Sequence, residues 1–104
     1  MADFSIIQGE SRSFDIDATN FGTIDAFQVE LGQNNATKVK FKWPTTEGYE
    51  TLTKNGLVFT ASMTTAITEL MLNIYDLELT AFLNGQEIGK AIKKDFVQVK
   101  KQNS

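Results

Sequence analysis

The sequence predicts an all-β fold, an antiparallel sandwich of about seven or eight strands, on three observations. Apolar and polar residues alternate along most of the chain, and turn signals recur at intervals of about 10 to 14 residues. No segment sustains a helical period long enough for a core helix. The aromatic content, eight Phe with one Trp and two Tyr, suits a packed β core. At 104 residues, one core and one domain spanning 1–104 are expected.

Phe4 and Ile6 open an amino-terminal strand that stops at the Gln8-Gly9 turn. Phe14, Ile16 and Ala18 then face one way and Ser13, Asp15 and Asp17 the other, which is a strand with one wet face. Asn20-Phe21-Gly22 breaks it. Phe27, Val29 and Leu31 carry the next strand, with Gln28 and Glu30 outward and a turn cluster at Gly32–Asn35. The cleanest alternation sets Val39, Phe41 and Trp43 against Lys38, Lys40 and Lys42, and Pro44 ends it because proline cannot donate to a ladder.

Thr45 to Asn55 reads as polar and turn-rich, with Asn55-Gly56 reversing into a strand at Leu57–Ala61. Met63 to Leu70 suits a helical turn or two joining the sheets. Tyr75, Leu77, Leu79 and Ala81 alternate with Asp76, Glu78 and Thr80, and Asn84-Gly85 signals a type I′ hairpin. The returning strand is placed at about Glu87–Ile92 and a last one at Phe96–Lys100. Tyr75 stands two residues before Leu77, as the corner tyrosine of an immunoglobulin-like domain stands before an inward core position, and Ile16 and Leu77 could fill the places of its disulfide. A half-buried strand aromatic explains Tyr75 equally well, and a small barrel is the remaining rival to the sandwich.

The absence of both Cys and His removes disulfides, thiolate nucleophiles, imidazole bases and the usual zinc sites. No Walker or GxGxxG pattern is present, and a serine nucleophile would lack a base. Asp15 and Asp17 share a strand face as calcium ligands might, without an EF-hand loop. Asp76 and Glu78 have a similar spacing, but neighbours at i and i+2 point in parallel rather than across a cleft. No enzyme, metal or cofactor is expected.

The formal charge of −3 argues against nucleic-acid partners, and no apolar run is long enough for a membrane span. No secretion signal is visible, so synthesis in the cytosol is expected. Up to Thr37 there are six acids and one base; from Lys38 there are nine lysines and seven acids. The partition is read either as an ordinary solvated surface or as an acidic face meeting the basic face of a neighbouring copy. The candidate contact residues are Lys38, Lys40 and Lys42 with Asp15 and Asp17. The lysine stripe also reads as an edge strand protected against sheet pairing.

Three stretches resemble the immunoglobulin-like domain at the amino terminus of phage baseplate upper proteins. They are Ile7 to Ile16 with its Gln8-Gly9-Glu10 opening, Val39 to Lys42, and Tyr75 to Thr80 followed by Asn84-Gly85 and Phe96 to Val99. The resemblance implies a virion protein assembled in the host cytoplasm, either a tail or baseplate component or a capsid decoration. Its partners would be other virion structural proteins and further copies of itself. The alternative is a carbohydrate- or ligand-binding sandwich module, whose exposed aromatics would come from Trp43, Tyr49, Phe21 and Phe82.

Overall fold

A computed structural model describes residues 4–33 and 36–101, without the side chains of Phe4, Ala36 and Lys38. Its strands in chain order are β1 (Phe4–Ile7), β2 (Arg12–Asp17), β3 (Ala26–Gln33), β4 (Ala36–Trp43), β5 (Glu50–Asn55), β6 (Val58–Met63), β7 (Asn73–Leu83) and β8 (Gln86–Lys100). A single helical turn, α1 (Thr65–Thr68), links β6 to β7. The hydrogen-bonded order β1-β8-β7-β3-β4 makes one sheet and β5-β6-β2 the other. They join at one corner, where Phe41 and Lys42 of β4 pair in parallel with Glu50 and Thr51 of β5. The chain is an all-β, immunoglobulin-like sandwich.

The expected antiparallel pairing is modified twice. Besides the β4–β5 corner, β1 runs parallel to β8, with Phe4 opposite Val97 and Ile7 opposite Lys100. The edge reading of the lysine strand holds for part of it: among the described residues Ala36–Lys40 has β3 as its one strand partner, whereas Phe41 and Lys42 also meet β5. The segment read as polar turns contains β5, which buries only Leu52 and so shows no alternation. The two closing strands are one, β8, stepped at two places against β7. Asn34 and Asn35 of the expected turn lie outside the described residues; Gly32 and Gln33 belong to β3.

One cluster forms the core. Phe14, Ile16, Leu52, Phe59, Ala61 and Met63 face it from one sheet; Phe27, Val29, Leu31, Phe41, Tyr75, Leu77, Val97 and Val99 face it from the other. Aromatic rings span the gap. Phe27 stacks on Phe59 with centroids 4.7 Å apart, and Phe14 meets Phe41 edge-on at 6.4 Å. Each buried ring contributes about 1.5–3 kcal/mol by leaving water. Ile16 and Leu77 are both buried but do not stand in for a disulfide. Ile16 lies beside Phe59 at the level of Phe27 and Ala81, whereas Leu77 lies four residues along β7 opposite Leu31.

Two polar ties brace the connection from β6 to β7. Tyr75 is 2% exposed, and its hydroxyl accepts a hydrogen bond from the Leu72 amide at 2.8 Å; this is the corner tyrosine, and the half-buried alternative is set aside. Thr68 at the end of α1 is fully buried. Its hydroxyl donates to the Glu10 carbonyl at 2.6 Å and accepts from the Gly9 amide at 3.1 Å. The Gln8 side-chain amide reaches the carbonyls of Glu69 and Met71. The Gln8-Gly9-Glu10 turn is thereby pinned to the α1 connection. At Asn84-Gly85 both residues have positive φ, 53° and 80°, as a type I′ turn requires.

Candidate interaction surfaces

The outer face of the five-stranded sheet carries the lysines. Alternation along β4 sends Phe41 inward and Lys40 and Lys42 outward, and the antiparallel register sets Lys40 beside Glu30 and Lys42 beside Gln28. Glu30 in turn lies beside Glu78, and Thr80 beside Lys90. Lys90 bonds Glu78 at 3.1 Å, and the Glu78 carboxylate, followed by Glu87 and Glu30, raises the Lys90 pKa above its usual value. The expected basic stripe is therefore a mosaic, with acids one strand away interleaving its cations. The side chain of Lys38 lies outside the described residues; its backbone sits where the β3–β4 register shifts.

Asp15 and Asp17 lie on the opposite outer surface, on β2 at the edge of the smaller sheet. Asp15 accepts from the Thr60 hydroxyl on β6 at 2.7 Å. Asp17 accepts from the side chain and the amide of Thr19, and those bonds, the hydroxyl first, hold its carboxyl below the usual range. The structure thus separates the two candidate groups by the thickness of the sandwich. Among the described residues no three of Asp and Glu gather where they could hold a metal ion.

Asp76 and Glu78 are both engaged structurally. Glu78 pairs with Lys90, while Asp76 accepts from the Asp95 amide at 2.9 Å and from Lys94 at 3.2 Å. The Asp95 bond is the main reason the Asp76 carboxyl titrates below its ordinary range. It also fixes the step at which Lys94, Asp95 and Phe96 oppose one residue of β7, with Asp95 at φ 52°.

The four aromatic candidates are partly covered by the chain itself. Lys40 and Lys42 place their ammonium groups 4.7 and 5.4 Å from the Tyr49 ring, and Lys42 lies 5.1 Å from the Phe82 ring. Trp43 packs on Phe59 at 5.5 Å with Lys54 over its ring. Phe21 packs on Phe27 and against the backbone of Gly89, where an added Cβ would meet its Cδ1 at 2.6 Å. A groove of about 490 Å³ runs beside Tyr49, lined by Gln28, Glu30, Thr37 and Lys40 among others.

The sequence reading missed one surface. From Gln86 to Asp95 every residue of β8 except Gly89 is exposed. Among the described residues this stretch has β7 as its only strand partner, because β1 covers β8 only from Val97 onward. Ile88 and Ile92 stand out on it at 46% and 60% exposure. The signal was present in Ile88-Gly89-Lys90-Ala91-Ile92, where the strand period sets two isoleucines on one face with Lys90 between them. Compared with family models and with curated proteins, the chain matches none.

Proposed function

We propose that the chain is a non-enzymatic structural protein of a phage virion, a tail or baseplate component or a capsid decoration, acting through protein–protein contacts at its sheet edges. The observation that carries the reading is the exposed β8 edge with Ile88 and Ile92. Elsewhere on the surface, the charged and aromatic candidates whose side chains are described already have partners inside the fold. Apolar residues on an open edge are a liability for an isolated domain and an asset for a subunit that is covered on assembly. The virion setting rests on the resemblance of Ile7–Ile16, Val39–Lys42 and Tyr75–Thr80 to the baseplate domain. Mass spectrometry of purified particles tests it: a fixed copy number per particle is expected, and a protein found only free in the lysate rejects it.

A ligand-binding reading falls on the groove beside Tyr49, whose polar lining and ring suit a sugar. Micromolar glycan binding abolished by Tyr49→Ala would put that reading in place of the first.

A further inference from the structure

We propose that the exposed stretch of β8 is a self-association edge, on which a second copy of this chain pairs antiparallel around a two-fold axis near Lys90. The inference rests on the reading of the chain as an assembling subunit and names the partner of the β8 edge.

Among the described residues the edge has no strand beyond it. Between Gly89 and Lys93 the ladder to β7 is regular, facing Leu77 to Ala81, and it is bracketed by the two register steps. No described strand lies on its other side, so its outward amides and carbonyls are available to a further strand.

The order of side chains selects a second copy. Within the stretch an acid, Glu87, lies near the start and two bases, Lys93 and Lys94, lie near the end, ahead of Asp95 at the register step. An antiparallel pair lays the acid near the start of each strand beside the bases near the end of the other, twice by symmetry, whereas a parallel pair sets like beside like. Centring on Lys90 places Ile88 of one copy across from Ile92 of the other, so the exposed isoleucines cover each other. The like charges that meet at the axis arrive neutralised, since each Lys90 is bonded to its own Glu78 at 3.1 Å. A single strand pair buries less than the roughly 1,200–2,000 Å² of a stable interface. The dimer is therefore weak in solution and becomes effective when copies are arrayed side by side.

Sedimentation at rising concentration tests this, with Ile92→Lys weakening the dimer by at least about tenfold. Glu87→Lys and Lys93→Glu are each expected to be monomeric alone and to associate when mixed. The chain has no Cys, so Lys90→Cys reports the axis: residues directly opposite in an antiparallel pair lie close enough to cross-link under oxidation. Thr53→Cys, on the other sheet, should not cross-link. A wild-type monomer at millimolar concentration overturns the proposal, as does a dimer indifferent to Ile92→Lys or one that cross-links equally through Thr53→Cys. A monomer that is nonetheless present in purified particles removes this inference and leaves the virion reading standing; a dimer absent from particles does the reverse.

Discussion

The hydroxyl of Tyr75 and the amide of Leu72 form a 2.8 Å hydrogen bond that ties the first residues of β7 to the connection before them. Tyr75→Phe keeps the ring and removes the acceptor. The variant is expected to lose about 1–2 kcal/mol, because the Leu72 amide is left without its partner. In a domain of this size that lowers the melting temperature by about 4–8 °C per kcal/mol. Thermal unfolding followed by circular dichroism reads it, and an unchanged midpoint would mean that water replaces the hydroxyl at no cost.

Thr68 is expected to be more sensitive than its small size suggests. Thr68→Val takes the hydroxyl partner from both the Glu10 carbonyl and the Gly9 amide at a partly buried site, a loss of about 1–3 kcal/mol. Thr68→Ser keeps the hydroxyl and should recover most of it. Urea midpoints of the two variants give the comparison; equal losses would assign the effect to the methyl group instead.

Gly89 faces Phe21 at a distance that leaves no room for a side chain. Gly89→Ala is expected to cost about 1–3 kcal/mol by overpacking. With Phe21→Ala in the background, the same change should be nearly neutral. A double-mutant cycle measures the coupling, and simple additivity would show that the ring turns aside freely.

Asp76 links stability to acid. Its carboxyl is held below the usual range by the Asp95 amide and by Lys94, so it binds a proton less readily in the folded state than in the unfolded one. Its contribution is thus present above the unfolded value of about 3.9 and is lost as pH falls through the lower folded value. Asp76→Asn should be less stable than wild type at neutral pH, with the gap closing below about pH 4. Asp17, lowered by Thr19, titrates in the same direction, so some acid sensitivity persists in the variant. The contribution is small, since solvent screens a partly exposed pair. Denaturant midpoints across the acid range measure it, and a constant gap would exclude Asp76 from the linkage.

The fold was legible wherever burial followed the strand period. Phe14 and Ile16, Phe27, Val29 and Leu31, and Tyr75 and Leu77 all point inward as their alternation implies. The sequence left Tyr75 open between a corner tyrosine and a half-buried aromatic, because its bond to the Leu72 amide is made only in the fold. β5 was hidden because Leu52 is its one core residue, and a lone apolar position has no period. β8 was split in two because its register step shifts the alternation between Ile92 and Phe96, and that step depends on Asp76, some twenty residues earlier. The lysines of β4 were read as a basic stripe because Glu30 reaches Lys40 only through sheet pairing. Charge runs along a strand, but neutralisation runs across it.

The parallel pairing of β1 with β8 has a mechanical consequence. Phe4 begins β1 beside Val97, and Lys100 ends β8 beside Ile7, where it also accepts a hydrogen bond from the Gln8 amide at 2.7 Å. Tension applied at Phe4 and Lys100 draws the two strands past each other along their common axis. Every rung of that short ladder then carries load together, as in a lap joint. Peeling β1 away sideways would break the rungs one at a time, at a fraction of the force.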